Sequence, residues 1–509
     1  MFVLAFLIGS YAYSIFFLGV LRLLKPEWII LISFLHLFII LRLFIKPLFI
    51  LLKPIPLHLN KLNTWAKLIL FLIVIQSLVN LVGALGPEQG FDALWYHLTL
   101  PKMWLSEGYL RYYPGPVFKY SVMPMLTEML YIPSLVFSNE IAAKLIHYSF
   151  GILTLIVTYK PSRKLLNETY SLLSCLLLSS NLVFSWQSTT AYIDLSRTFF
   201  EVLALYFFLE NKLYRSAVTL GLAASTKLLA LGTLPVFWIL ILISKYKKIL
   251  TYSAIVFAVL LPWLIRAYIE TGNPAYPFLS PLYTDNAVSL NPLDLWRVFT
   301  IATDPVSPVY LISAPLTVAF FLDRRRSRGE RLLSVYSLFA LFVWWVTPRT
   351  GGGRFILPYL PAFSVLTSLV IFSMKDNFIK TASLFISVSL ALVTVGYRSA
   401  ANYKFLPVIF GYQSKIDFLA SRLDFSSGNY IDTDGFLQSN FSPSDVLLVR
   451  GINNLFYLDV PFVHIDYLSC RDNPAYLLQY QGQSTPMSYN NWYSVYSDPV
   501  TDTQVLKQP

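Results

Sequence analysis

Residues 217–244 read AVTLGLAASTKLLALGTLPVFWILILIS, and how this stretch folds fixes the topology of everything after it. A membrane span needs about 20 mostly apolar residues. Here each half is short, and Lys227 and Gly232 lie between the halves. We read the stretch as a hairpin of two short helices; one tilted helix is the alternative. Basic clusters decide between them. Lys160, Arg163 and Lys164 share one connection, and Lys212 and Arg215 share the next. Lys245, Lys247 and Lys248 form a third group, Arg324, Arg325, Arg326, Arg328 and Arg331 a fourth, and Lys375 and Lys380 a fifth. With a hairpin all five groups fall on one side of the membrane, the side that positive charge marks as cytoplasmic. A single helix would put the later groups outside. Arg22 and Lys25 fit this pattern less well.

Outward from the hairpin, apolar runs start near Phe2, Trp28, Trp65, Ile141, Tyr170, Leu195, Ala217, Leu231, Ile249, Val306, Leu332, Phe355 and Phe378, giving roughly 13 spans. The first lacks the basic start and small-residue cleavage site of a signal peptide and is expected to stay as a span or anchor. Composition agrees. The chain has 509 residues, 56% hydrophobic and only 13% charged, against about 25% charged in soluble domains. Mean hydropathy is +0.59. Such a chain could not cover a soluble surface with charge. An ordinary soluble enzyme, a disordered chain and a disulfide-stapled secreted domain are excluded. The net charge of +12 is assigned to topology-setting loops, with no nucleic acid as partner. Cys175 and Cys470 are the only cysteines, and neither a CxxC nor an HExxH motif occurs.

Three long segments face the side opposite the basic clusters: a first outer loop (86–139), a second (270–305), and everything from about 398 onward. Residues 1–397 are expected to form a polytopic α-helical domain. Residues 398–509 should form a small α/β domain outside the membrane, with short strands such as DVLLVRG at Asp445–Gly451.

The outer segments carry the candidate chemistry. Gly86–Leu110 reads GPEQGFDALWYHLTLPKMWLSEGYL, an amphipathic pattern expected to lie in the interface plane with aromatics at headgroup depth. Asp92 falls in the first turn of that helix, where the helix dipole alone favours a carboxylate, and Glu88 lies just before it. His97 reads as a buried interfacial histidine or a ligand. Lys119 sits among Tyr and Phe just before the chain re-enters the membrane, where it can snorkel or bind a lipid phosphate. Glu128 is an acid in an apolar helical run, which demands a partner or a function. Asp194 and Arg197 can pair at i, i+3, with Glu201 on the same helix face, and Lys227 needs a buried counter-charge. Thr271–Pro274 (TGNP) is a turn signal at an outer mouth, which makes Asn273 a possible wall of a site; Arg297 follows in the same loop. Arg349 and Arg354 flank three glycines, so two guanidinium groups and exposed amides can form an anion site.

Taken together, DALWYHL (92–98), MPMLTEMLY (123–131), AYIDLSRTFFEVLALYFF (191–208), GLAASTKLLALG (221–232), TGNPAYPF (271–278) and GRFILPYLP (353–361) resemble the GT-C superfamily of integral-membrane glycosyltransferases. Within it the chain looks like family 39, with its protein O-mannosyltransferase and aminoarabinose transferase branches, and most like prokaryotic members with a DALxYHL first loop. The resemblance covers about Trp65 to Pro361 and continues weakly at Tyr457–Asp459. It implies a polyprenyl-phosphate sugar donor, a glycan, lipid or protein acceptor, inversion at the anomeric carbon, and an active site on the outer face of the cytoplasmic (inner) membrane. The family's first-loop carboxylate, its catalytic base, corresponds to Asp92. Relatives often carry two adjacent acids there, whereas Ala93 follows here, so Glu88 is held in reserve. Lys119 matches the donor-phosphate residue of aminoarabinose transferases, and Arg349, Arg354 and Arg297 are further phosphate candidates. Tyr96, His97, Glu128, Asp194 and Asn273 are expected to touch substrate. No cofactor is expected; a divalent metal is possible but is not predicted. The alternatives are a glycan ligase or polymerase using a lipid-linked donor, a polytopic transporter, which would predict polar groups at the midplane and often an internal repeat, and a non-catalytic assembly protein.

Overall fold

The computed structural model describes the chain apart from residues 45–61, 284–289, 302–305, 348–351, 443–444, 471, 485–488 and 490. Arg349 therefore lies outside the described residues. Except at Val306, the expected span starts fall on helical residues, those at Leu231 and Phe355 on 3-10 turns. Among the described residues, eight helices are long and apolar enough to cross a membrane: Phe2–Val20, Pro26–Leu43, Thr64–Leu85, Glu140–Leu165, Ile249–Thr271, Arg328–Val346, Gly352–Ser373 and Asn377–Tyr403. The remaining positions carry shorter helices, Glu168–Ser179, Asp194–Leu209, Leu213–Thr226, Leu234–Ile243 and Ala314–Leu322. Helices satisfy their own backbone groups, which is why apolar sequence in lipid takes this form. Burial ranks them. In Gly352–Ser373 89% of the apolar stretch is buried, against 6% in Pro26–Leu43, so the former is central and the latter peripheral.

The 217–244 stretch is a hairpin. The Leu213–Thr226 helix ends where Lys227 turns extended (φ −152°, ψ 120°). A 3-10 turn, Leu228–Thr233, then leads into Leu234–Ile243. The two open ends meet, since the Tyr246 hydroxyl bonds Asn211 Oδ1 at 2.7 Å. The basic clusters gather at this same end. Lys164 pairs with Glu210, Arg328 reaches Asn211 at 2.7 Å, and Arg326 reaches Ser373 Oγ at 3.0 Å. Lys380 bonds the Phe372 carbonyl at 2.7 Å. The hairpin's closed end, with Lys227, lies at the opposite end of the bundle.

There the first outer loop folds in three parts. A π-helical turn, Ala93–His97, follows Asp92, and the helices Thr99–Glu107 and Glu128–Phe137 come after. Of its apolar residues, Leu98, Leu100 and Trp104 are fully buried in protein. Their cover comes from the bundle below and from the C-terminal part above. Lys102 Nζ bonds the carbonyls of Phe456 (2.7 Å) and Leu458 (2.9 Å). The Val117 N–H bonds Asp466 Oδ2 at 2.9 Å. Gly115 sits at φ 99°, and a Cβ there would lie 2.6 Å from the Asp466 carbonyl oxygen, so only glycine allows this approach.

The C-terminal part holds a five-stranded sheet in the order β2-β1-β3-β5-β4. Its strands are β1 Leu447–Val449, β2 Phe462–His464, β3 Tyr476–Tyr480, β4 Tyr493–Asp498 and β5 Thr503–Lys507. β1 runs parallel to β2 and β3, and β5 runs antiparallel to β3 and β4. The DVLLVRG run supplies β1. Cys175 is buried and Cys470 exposed, both as free thiols.

Candidate active site

A cavity of about 360 Å³ opens at the end of the bundle that holds Lys227. The first outer loop, the end of the hairpin, the second outer loop and the start of Gly352–Ser373 wall it. Asp92, Tyr96, His97, Lys119, Glu128 and Arg354 all line it, each predicted from sequence. Lys227, Tyr120, Tyr283, Phe278 and Phe355 line it as well.

Its charges alternate. Asp92 Oδ2 pairs with Arg354 Nη1 at 2.7 Å, and Arg354 Nε lies 3.7 Å from Asp194 Oδ2. Asp194 Oδ1 in turn pairs with Lys227 Nζ at 2.7 Å. Asp194 is buried behind the wall and serves as the counter-charge that Lys227 requires. The expected Asp194–Arg197 pair does not form. Arg197 bonds Glu201 one helical turn on, at 2.6 Å, and Thr233 caps Glu201 at 2.7 Å, deeper in the bundle. Aromatic faces support the cations: Arg354 lies 5.1 Å from the Tyr192 ring centroid, and Lys227 lies 4.8 Å from that of Phe355.

Asp92 remains partly open to the cavity, at 15% exposure. The Tyr96 hydroxyl donates to its Oδ2 at 3.4 Å, and its own backbone N–H donates to the Tyr192 hydroxyl at 3.1 Å. Lys119 faces it across the space. Its ammonium bonds the Leu282 carbonyl at 3.3 Å beside the Tyr120 and Tyr283 rings, and among the described residues it has no carboxylate partner. His97 Nδ1 and Glu128 Oε1 lie 2.7 Å apart, both buried. Burial pushes the His97 imidazole well below its ordinary value, with Lys227 adding to the effect, so the ring is neutral. Glu128 Oε2 has no hydrogen-bond partner among the described residues.

Other predicted residues fall elsewhere. Glu88 is fully buried and outside the cavity. Its Oε1 accepts the backbone N–H groups of Gln89 (2.8 Å) and Gly90 (2.6 Å), and its Oε2 accepts that of Ala191 (2.5 Å). Burial pushes its carboxyl up, and Lys144 and these three amides pull it back down. Glu88 thus ties the first outer loop to the turn before Asp194. Lys144 pins the same loop from below, with hydrogen bonds to the Gly83 (3.0 Å), Gly86 (2.6 Å) and Pro87 (3.1 Å) carbonyls. Asn273 is an architect of the turn: Oδ1 accepts from Ala275 N–H at 2.9 Å, and Nδ2 donates to the carbonyl of Phe278, a wall residue, at 2.7 Å. Arg297 is half-exposed, pairs with Asp294 at 3.7 Å, and does not reach the cavity. Among the described residues no three His, Cys, Asp or Glu side chains converge in the manner of a metal site.

Tyr192 was not singled out in the sequence, because an aromatic in an aromatic-rich helix start carries no distinct signal. Lys227 was visible as a charge in an apolar run, yet its place on the cavity was not.

Family models and curated proteins give no match to the chain. Solved structures do. ArnT from Cupriavidus metallidurans aligns in its apo state at a TM-score of 0.56 and 15% identity, over 86% of this chain and 97% of that one. Its undecaprenyl phosphate complex aligns at 0.55 and 14% identity, with the same coverage. The chain has the fold of ArnT. That agrees with the polytopic helical fold the motifs led us to expect, and the long apolar helices are those of a multi-pass membrane protein. The Archaeoglobus fulgidus oligosaccharyltransferase aligns at 0.46 and 12% identity, over 76% of this chain and 63% of that one.

Proposed function

We propose that the chain is a membrane glycosyltransferase that moves a sugar from a polyprenyl-phosphate donor to an acceptor hydroxyl, with Asp92 as the base. One observation carries the reading. A partly open carboxylate, Asp92, is 2.7 Å from Arg354 in a cavity that also holds Lys119, a cation with no carboxylate partner among the described residues. Such a site suits a phosphate beside a nucleophile's proton. The acceptor oxygen attacks the anomeric carbon and its proton passes to Asp92, which needs contact at about 2.6–3.2 Å. The bond from the anomeric carbon to the phosphate oxygen breaks, and the leaving phosphate gains a negative charge. Arg354 and Lys119 meet that charge, and preorganised cations of this kind supply much of transition-state stabilisation. Asp194, itself paired with Lys227, holds Arg354 in place. Glu128 Oε2, buried and unpartnered, accepts a sugar hydroxyl. A polyprenyl-phosphate ligand in one ArnT structure supports the donor class.

The basic end is taken as cytoplasmic. The cavity then opens on the outer face of the cytoplasmic membrane, and the part from 398 to 509 is an extracytoplasmic domain that packs on the first outer loop. The test is binding of polyprenyl phosphate, the donor's leaving group, to purified protein. Lys119→Gln and Arg354→Gln each should weaken it by about tenfold or more, the scale of one charge-assisted contact. Binding unchanged in both variants would contradict the phosphate assignment.

A further inference from the structure

Outside the cavity, a second group of cations has no acidic partner. Arg398 lies on the Asn377–Tyr403 helix, 8% exposed. Its Nη2 donates to Asn402 Oδ1 at 3.0 Å and to Thr189 Oγ1 at 3.4 Å, and its buried Nε has no partner among the described residues. Asn402 in turn donates to the Val79 carbonyl at 2.7 Å, joining this helix to Thr64–Leu85. Past the helix end, Lys404 bonds Gln89 Oε1 at 2.7 Å and lies 5.0 Å from the Phe405 ring centroid. Phe405 packs on Phe418 at 5.4 Å between ring centroids, which brings the Lys415–Arg422 helix and its terminal Arg422 alongside. Burial lowers the Lys404 pKa, and Arg422 and Arg398 lower it further, so the three cations share one field. Among the described residues no carboxylate forms an ion pair with any of them. A buried guanidinium without a counter-charge is costly.

The surroundings say which anion. The cluster sits at the end of a helix long and apolar enough to cross a membrane. Tyr403, Phe410 and Tyr412 are 70%, 68% and 86% exposed there, the arrangement of an interfacial aromatic belt. Clustered Lys and Arg beside such a belt recognise anionic headgroups. We propose that Arg398, Lys404 and Arg422 bind the phosphate of an anionic bilayer phospholipid at the helix end. Through the Lys404–Gln89 bond the bound lipid would brace the loop that carries Asp92. This site is independent of the transferase reading.

The test reconstitutes wild-type protein and a Lys404→Gln/Arg422→Gln double variant in nanodiscs of mixed phosphatidylcholine and phosphatidylglycerol. Phosphatidylglycerol retained per protein is then counted by native mass spectrometry. Arg422 is exposed and Lys404 half-buried, and thermal unfolding verifies that the variant keeps the fold. Wild type should retain phosphatidylglycerol in preference to phosphatidylcholine, and the variant should lose that preference by at least about tenfold, from two interfacial cations. Equal retention by the two proteins would overturn the proposal. So would displacement of the lipid by millimolar inorganic phosphate, which marks a site for the free ion. A preference for polyprenyl phosphate over phosphatidylglycerol would overturn it too, by placing the cluster on the donor's path.

Discussion

Asp92 and Glu88 lie four residues apart in one loop, yet they do different work because of what surrounds each oxygen. Three backbone amides saturate Glu88, whereas Asp92 keeps an open face beside Arg354. Each charge-assisted bond lost from a buried carboxylate costs about 1.5–3 kcal/mol. Glu88→Ala is therefore expected to destabilise the protein by about 3 kcal/mol or more, seen as reduced thermal stability in detergent, while the folded fraction still binds polyprenyl phosphate. Weakened binding with unchanged stability would reverse that assignment. The choice between the two acids was not readable beforehand, since it depends on the Ala191 amide, 103 residues away. His97 gives a pH dependence of definite sign. Its folded pKa is depressed, so the unfolded chain takes up the proton more readily. Its contribution is complete above the ordinary value near 6.5 and is lost as pH falls below it. The slope is about 1.4 kcal/mol per pH unit for one proton. Unfolding temperature followed from neutral to acid pH should fall more steeply in wild type than in His97→Gln; parallel curves would contradict the account.

The elements were legible to different degrees. Long apolar runs marked the helices, and the agreement of basic clusters selected the hairpin at 217–244. Lys227 breaks that hairpin because its ammonium must reach Asp194, a contact across 33 residues that no local pattern encodes. The first outer loop was recognised as amphipathic, but its apolar face packs on protein. Periodicity shows that a face is apolar without showing what covers it. The cover is the C-terminal part, and Gly115 marks the closest approach. Gly115→Ala forces a side chain into the left-handed region against the Asp466 carbonyl, a strain on the order of 1–3 kcal/mol. Limited proteolysis of the C-terminal part should accelerate in this variant. A digestion rate equal to wild type would show that the contact does not hold the two together.

For the whole molecule, the arrangement of charge supports the proposed orientation: basic loops gather at one end, and the cavity and sheet at the other. The free, exposed Cys470 tests this directly. In intact cells a membrane-impermeant maleimide should label Cys470 in a Cys175→Ser background. Arg325→Cys, made in a chain lacking both native cysteines, should react only after permeabilisation. The opposite pattern would invert the topology. The polytopic class was readable from composition, and the fold from ordered motifs whose spacing survived folding. The cavity's aromatic lining, Tyr120, Phe278, Tyr283 and Phe355, gave no signal in a chain with 16% aromatic residues. The most direct test of the central claim is sugar transfer from labelled polyprenyl-phosphate sugars, comparing wild type with folded Asp92→Asn. We expect the variant to keep polyprenyl-phosphate binding and to lose transfer by about 10²–10⁴-fold, the range of general base catalysis. Full transfer by Asp92→Asn would contradict the account.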